Sequence, residues 1–122
     1  MKYENIIKEL SKTKIDKSYV DSIEEYYGMK IPEDILKLLS IGKKTPFIDN
    51  VRIVSTKEII ESNVFLGVDC KTKGIVPLID VFDNDFIIYS IKEKCYYIYN
   101  IVDDVLFDKK ANLSDYSEKE ID

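Results

Sequence analysis

Apolar residues in the first twelve positions recur every three to four residues. This spacing places them on one face of a helix, which we expect to end near Lys12. The apolar face consists of Tyr3, Ile6, Ile7 and Leu10.

A second and a third helix follow. Ser18 and Asp21 have the spacing of a capping box, and Gly28 supplies the left-handed conformation that commonly ends a helix. Pro32 is typical of a first helical turn, so the third helix is predicted from Pro32 to Ile41, with Gly42 ending it. The buried stripes of the two helices are Tyr19, Val20, Ile23, Tyr26 and Tyr27, and then Ile35, Leu36, Leu38 and Leu39.

From Asn50 onward the pattern is typical of strands, interrupted by one short helix that Ser55 and Glu58 would cap. Pro77 would confine its strand to a sheet edge or to a bulge. Both sides of the segment from Phe86 are apolar, which favours a central strand covered by helices on at least one face. The predicted strands are 51–54, 64–68, 74–81, 86–91, 95–101 and 105–107, with turns at 83–85 and 92–94.

These elements predict an α+β fold in which N-terminal helices pack against a mainly antiparallel, twisted sheet. The 122 residues suit one domain, 1–122, with a single core. The segment from Ala111, with Leu113, Tyr116 and Ile121, is expected to form a weak terminal helix or to fray.

The net charge of the chain limits the kinds of molecule that it can bind. The net charge is −5, and the acidic surplus lies in residues 62–122, which carry 7 basic and 12 acidic groups, against 11 of each in residues 1–61. This balance disfavours direct nucleic-acid binding. The sequence begins with charged and polar residues where a signal peptide needs an apolar run, and no apolar stretch approaches a membrane span. We therefore expect a cytoplasmic protein that does not enter a membrane.

The residue types also bear on catalysis. The chain has no histidine, which removes serine–histidine and cysteine–histidine machinery and histidine-containing metal sites. Its four glycines are too scattered for a phosphate loop. Cys70 and Cys95 form no CxxC pair and are expected to be buried free thiols. We therefore expect a binding protein without catalytic residues, cofactor or metal.

Carboxylates and tyrosines are the remaining candidates for function. Acidic side chains attract a basic surface of a partner protein, and tyrosines are common interface anchors. Turn formation and solubility could equally explain the acids individually, and core packing the tyrosines. A carboxylate-dependent hydrolase or metal site around Asp83 and Asp85 is a further alternative. The candidate partner-binding residues are Asp80, Asp83, Asp85, Asp103, Asp104, Asp108, Tyr96 and Tyr99.

Residues 23–34 (IEEYYGMKIPED), which Leu38-Leu39-Ser40-Ile41 continues, are similar to the opening signature of the SUKH superfamily. Farther on, Ile75-Val76-Pro77-Leu78 and 84–89 (NDFIIY) resemble its second block, followed by Tyr97-Ile98-Tyr99. The resemblance covers about residues 19–110. Family members usually carry an Asn-Gly turn where this chain has Gly42-Lys43-Lys44, and the C-terminal helix looks short.

The resemblance implies an α+β fold and, in bacteria, an immunity protein that neutralises a toxin, often a nuclease, by binding it. Related fungal proteins regulate the cell wall and signalling. An adaptor that docks a cellular protein without any toxin is therefore the alternative function.

Overall fold

Residues 2–117 are described by a computed structural model, which confirms the α+β fold. The helices are α1 (Glu4–Lys12), α2 (Lys17–Tyr27), α3 (Glu33–Lys44), α4 (Thr56–Ile60), α5 (Ser62–Phe65), α6 (Cys70–Lys73) and a terminal 3-10 helix (Leu113–Ser117). The strands are β1 (Phe47–Ile48), β2 (Val51–Ile53), β3 (Ile75–Phe82), β4 (Asp85–Ser90), β5 (Cys95–Asn100) and β6 (Val105–Lys110).

The strands form one six-stranded antiparallel sheet in sequence order, so β1 and β6 are its edges. The prediction that the Phe86 segment is a central strand is confirmed, because β4 lies between β3 and β5. Pro77 lies in β3, which is also internal, and the register shifts between Pro77 and Ile79. Of the two positions expected for this proline, the bulge is the one observed.

Cross-strand partners share a face of the sheet, so the register defines two rows of side chains. Ile53, Ile79, Ile87 and Ile98 form one row, and α3 packs against the Ile53 end of this row, where Gly42 of that helix lies against Ile53. The opposite face carries the neighbouring row, which consists of Arg52, Asp80, Phe86, Tyr99 and Leu106.

Two helix boundaries differ from their predictions. The Ser18–Asp21 capping box is wrong: α2 begins at Lys17, and the Ser18 hydroxyl instead donates to Asp16 Oδ1 at 2.7 Å. Gly42 does not end α3, which continues to Lys44. A Cβ at Gly42 would lie 2.5 Å from Ile53 Cγ2, so this glycine allows α3 and β2 to approach closely.

The strand predicted for 64–68 is also wrong. Ser62–Phe65 is the short helix α5, and turns follow it. Val64 is 76% exposed and Phe65 is 48% exposed, so the apolar run that suggested a strand lies mostly at the surface. β1 was not predicted, because two residues are too few to show a period.

Other local predictions are confirmed. Gly28 ends α2 with φ 69°, and Ser55 and Glu58 form a reciprocal capping box on α4. The tail forms a 3-10 helix whose Leu113 and Tyr116 are buried, while Ile121 lies outside the described residues. Within residues 2–117 no helix has the length and apolar character needed to cross a membrane.

Candidate protein-binding surface

The β5–β6 hairpin concentrates exposed apolar side chains. Nine large hydrophobic residues are exposed in the described chain, and four of them fall within the six positions 102–107. We call these four the hairpin surface. Its members are Val102 (68% exposed), Val105 (47%), Leu106 (43%) and Phe107 (43%). Val105 and Phe107 lie on one face of β6 and Leu106 on the other, so these side chains flank the exposed edge of the sheet from both sides. Exposed apolar side chains gathered along an edge are typical of interaction sites.

Side-chain hydrogen bonds hold the loop at the tip of this hairpin. Asn100 Oδ1 accepts from the backbone N–H of Val102 at 3.1 Å and of Asp103 at 2.8 Å. The amide of the same Asn100 donates to Asp85 Oδ1 at 2.8 Å. Asp104 has φ 55°, a left-handed conformation that aspartate tolerates better than most residues. The loop therefore presents Val102 from a fixed backbone.

A charged contact connects the hairpin to α6. Asp104 Oδ1 accepts from Lys73 Nζ at 2.8 Å and from the Tyr99 hydroxyl at 2.6 Å. These two bonds, that of Lys73 first, hold the pKa of Asp104 below its usual value. Burial, followed by the bond to Asp104, raises the pKa of Tyr99. The contact borders a cleft of about 380 Å³ between α6 and the hairpin.

The outer side of β6 pairs with no other strand among residues 2–117. The register with β5 shifts between Tyr96 and Ile98, and Asp108 adopts φ 53° at this irregularity. The Asp108 carbonyl accepts from the Tyr116 hydroxyl at 2.8 Å. Bulges and edge charges hinder pairing with a foreign strand, so we expect contact with a partner mainly through the side chains of the hairpin surface.

Three of the six candidate carboxylates bind cationic side chains. Asp80 Oδ2 lies 3.2 Å from Arg52 Nη2, and Asp80 is only half-buried. Asp104 binds Lys73, and Asp108 lies 3.6 Å from Lys110 Nζ. These contacts offset part of the negative charge that the sequence places on the sheet.

The other three carboxylates lie at one end of the sheet. Asp83 and Asp85 lie at the β3–β4 turn and Asp103 in the β5–β6 loop, and these two connections are adjacent because Ile101 N–H donates to Asn84 O at 2.9 Å. No cation pairs with any of the three within the described chain. Only a few of the six candidate acids were expected at an interface, and these three are the ones that lie near one another without a cation among the described residues.

Tyr96 and Tyr99 are not surface anchors. They are only 5% and 4% exposed and belong to the core. Tyr96 lies beside Tyr89, with ring centroids 5.2 Å apart. This is a correction of the predicted site: alternation along β5 could not show that both faces are covered at these positions. Tyr97, between them, is the partly exposed ring, and its hydroxyl donates to Glu93 Oε1 at 2.8 Å.

A strand was predicted at Val105–Phe107, but these residues were not predicted to form a binding surface. The signal was present, since three consecutive large apolar residues followed the acidic pair Asp103-Asp104 near the end of the domain. In a strand, consecutive apolar residues point to opposite faces. They are buried in a central strand and partly exposed at an edge, and only the topology distinguishes the two.

The remaining candidate chemistry is limited. Cys70 and Cys95 are buried free cysteines, as predicted, and burial raises the pKa of the Cys70 thiol. Among residues 2–117 no three histidine, cysteine, aspartate or glutamate side chains are grouped so that they could hold a metal ion.

No protein-family model matches this chain, and the curated proteins and the solved structures contain no match to it.

Proposed function

We propose that this protein is an immunity protein, which binds a bacterial toxin stoichiometrically through the hairpin surface and thereby neutralises it. The single observation that carries the binding part is the exposure of Val102, Val105, Leu106 and Phe107 along the edge strand β6 and the loop before it. The toxin as partner rests on the resemblance of residues 19–110 to SUKH immunity proteins.

Charge supports a basic partner such as a nuclease. Asp83, Asp85 and Asp103 have no cationic partner within the described residues, and they lie at the sheet end from which the β5–β6 loop projects. Uncompensated carboxylates attract a basic surface and accelerate association. Apolar anchors then hold the complex, since buried apolar and aromatic contacts dominate interface energies.

We expect the double variant Leu106→Asp/Phe107→Asp to bind the cognate toxin at least about 100-fold more weakly than the wild type, because each change places a charge in an apolar contact. Calorimetry measures the affinity, and survival of cells that express the toxin measures protection. Circular dichroism verifies that the variant is folded.

Phe47→Asp is the matched control, because Phe47 is 67% exposed but lies in β1, at the opposite edge of the sheet. We expect this variant to bind and protect like the wild type. Equal loss in both variants, or full protection by the hairpin variant, would contradict the proposed surface. Absence of any complex between the wild-type protein and the toxin would contradict the immunity function, and a specific cellular partner found in its place would favour the adaptor.

A further inference from the structure

A groove of the described chain lies far from the hairpin surface. It has a volume of about 910 Å³ and lies between α1, the C-terminal end of α3 and the residues leading into β1. Ile15, Ile41 and Ile48 give it an apolar floor. β1 and β6 are opposite edges of the sheet, and five strand spacings correspond to about 24 Å. A ligand in this groove would therefore not contact the hairpin surface.

Lysines outnumber carboxylates in the lining of the groove. Lys12, Lys14 and Lys44 line it, and none of the three forms an ion pair within the described residues. Glu9 is the one unpaired carboxylate in the lining, because Asp16 accepts from Lys43 Nζ at 2.8 Å. That bond, together with one from Ser18, lowers the pKa of Asp16 to about 2.

Helix dipoles explain only part of this arrangement. Lys12 and Lys44 end α1 and α3, where the partial negative charge of a helix terminus favours cations. Lys14 lies outside both helices, so this effect does not account for it. On a chain whose net charge is −5, the groove is a local basic site.

We infer that this groove binds an extended acidic peptide segment of a partner protein, with carboxylates on Lys12, Lys14 and Lys44 and an apolar side chain on the isoleucine floor. This site lies beyond the toxin-binding surface and does not depend on it. Ile48 of the edge strand β1 lines the groove, and no strand among residues 2–117 pairs with the outer side of β1, so its backbone groups are available to an extended chain.

A peptide fits this lining better than a nucleic acid does. Proteins bind single-stranded nucleic acids by stacking bases on aromatic rings, and no aromatic ring lines the groove. Glu9 would also repel a continuous phosphate backbone, whereas a peptide can place its carboxylates only where the lysines are.

The test uses a fluorescein-labelled synthetic decapeptide in which glutamate and leucine alternate, titrated with the full chain and followed by fluorescence anisotropy. We expect saturable binding that weakens as salt is raised. The same peptide with glutamine in place of glutamate should bind at least about 10-fold more weakly, because three ion pairs of a few-fold each are lost.

Charge-reversal variants locate the site. Lys12→Glu/Lys14→Glu/Lys44→Glu should weaken binding of the acidic peptide by about 10-fold or more, whereas Glu9→Gln should strengthen it about two-fold. The hairpin variant Leu106→Asp/Phe107→Asp should bind the peptide unchanged, so a failure of the groove is distinguishable from a failure of the immunity function. The inference is overturned if the wild type does not bind the peptide, if the lysine variant binds it equally well, or if an oligothymidine of the same length binds more tightly.

Discussion

Replacing Gly42 with valine is expected to destabilise the protein by about 3 kcal/mol, which is the upper range for overpacking a core. A Cβ at this position would meet Ile53 Cγ2 at 2.5 Å and Ile53 Cβ at 2.8 Å. The second of these atoms is fixed to the backbone of β2, so α3 and β2 must move apart. Urea unfolding followed by circular dichroism measures the loss as a lower midpoint.

Two further variants separate the contact with Ile53 from other effects. Gly42→Ala gains about 1 kcal/mol of helix propensity and should still be destabilising. The destabilisation caused by Gly42→Ala should be smaller in an Ile53→Ala background, where the Cγ2 atom is absent. A double-mutant cycle measures this coupling between the two positions. Additive effects of the two alanines, or a Gly42→Val protein as stable as the wild type, would show that α3 and β2 are not in the described contact.

Removal of the Arg52 guanidinium is expected to cause the second large loss of folding stability. Arg52 Nη1 lies 2.7 Å from Glu58 Oε1, and Nη2 lies 3.2 Å from Asp80 Oδ2. The Arg52 side chain is 22% exposed and those of Glu58 and Asp80 are each 18% exposed. Arg52→Met leaves two carboxylates poorly solvated and without their cation. We expect a loss of about 2 to 3 kcal/mol at pH 7, somewhat below the cost of breaking a fully buried pair.

The pH dependence distinguishes this charge effect from a loss of packing. Burial alone would raise the pKa of Glu58, but the bonds from Arg52 and Ser55 outweigh it and hold the pKa below its usual value. A carboxyl with a lowered folded-state pKa contributes stability above its unfolded pKa of about 4.3, and this contribution is lost as the pH falls through the folded value. The difference between wild type and Arg52→Met should therefore shrink from pH 7 to pH 3.

Lys8→Met is the matched control for Arg52→Met. Lys8 pairs with Glu4 at 3.5 Å, and the two side chains are 63% and 53% exposed. Exposed pairs contribute little, so we expect a change within about 0.5 kcal/mol. If the two methionine variants cost the same, or if the cost of Arg52→Met is independent of pH, the half-buried charges do not stabilise the junction of β2, α4 and β3.

Several elements could be predicted because their signals are local. Gly28 ends α2 and the Ser55–Glu58 box begins α4, and both depend on hydrogen bonds within a few residues. The central position of β4 was predicted because both of its faces are apolar. Gly42 could have been interpreted differently, since it follows Ile35 and Leu38 at helical spacing and so shares their buried face.

The candidate site could be predicted only in part. Arg52 is 28 residues from Asp80, and Lys73 is 31 residues from Asp104. No local pattern shows that such distant groups meet. These contacts pair Asp80 and Asp104 with cationic side chains, so the candidate acids do not all remain unpaired. The burial of Tyr96 and Tyr99 likewise depends on the covering of both faces of β5.

The sequence by itself determined the secondary structure of most segments, the α+β class and the lack of histidine chemistry, because these follow from residue type and from neighbours within one turn or strand. Only the tertiary structure decided which apolar residues remain exposed, which charges are paired and where the lysines form a groove. The exposure of a side chain and the pairing of a charge depend on which segments folding brings together. The apolar side chains of β6 remain partly exposed because β6 lies at the edge of the sheet.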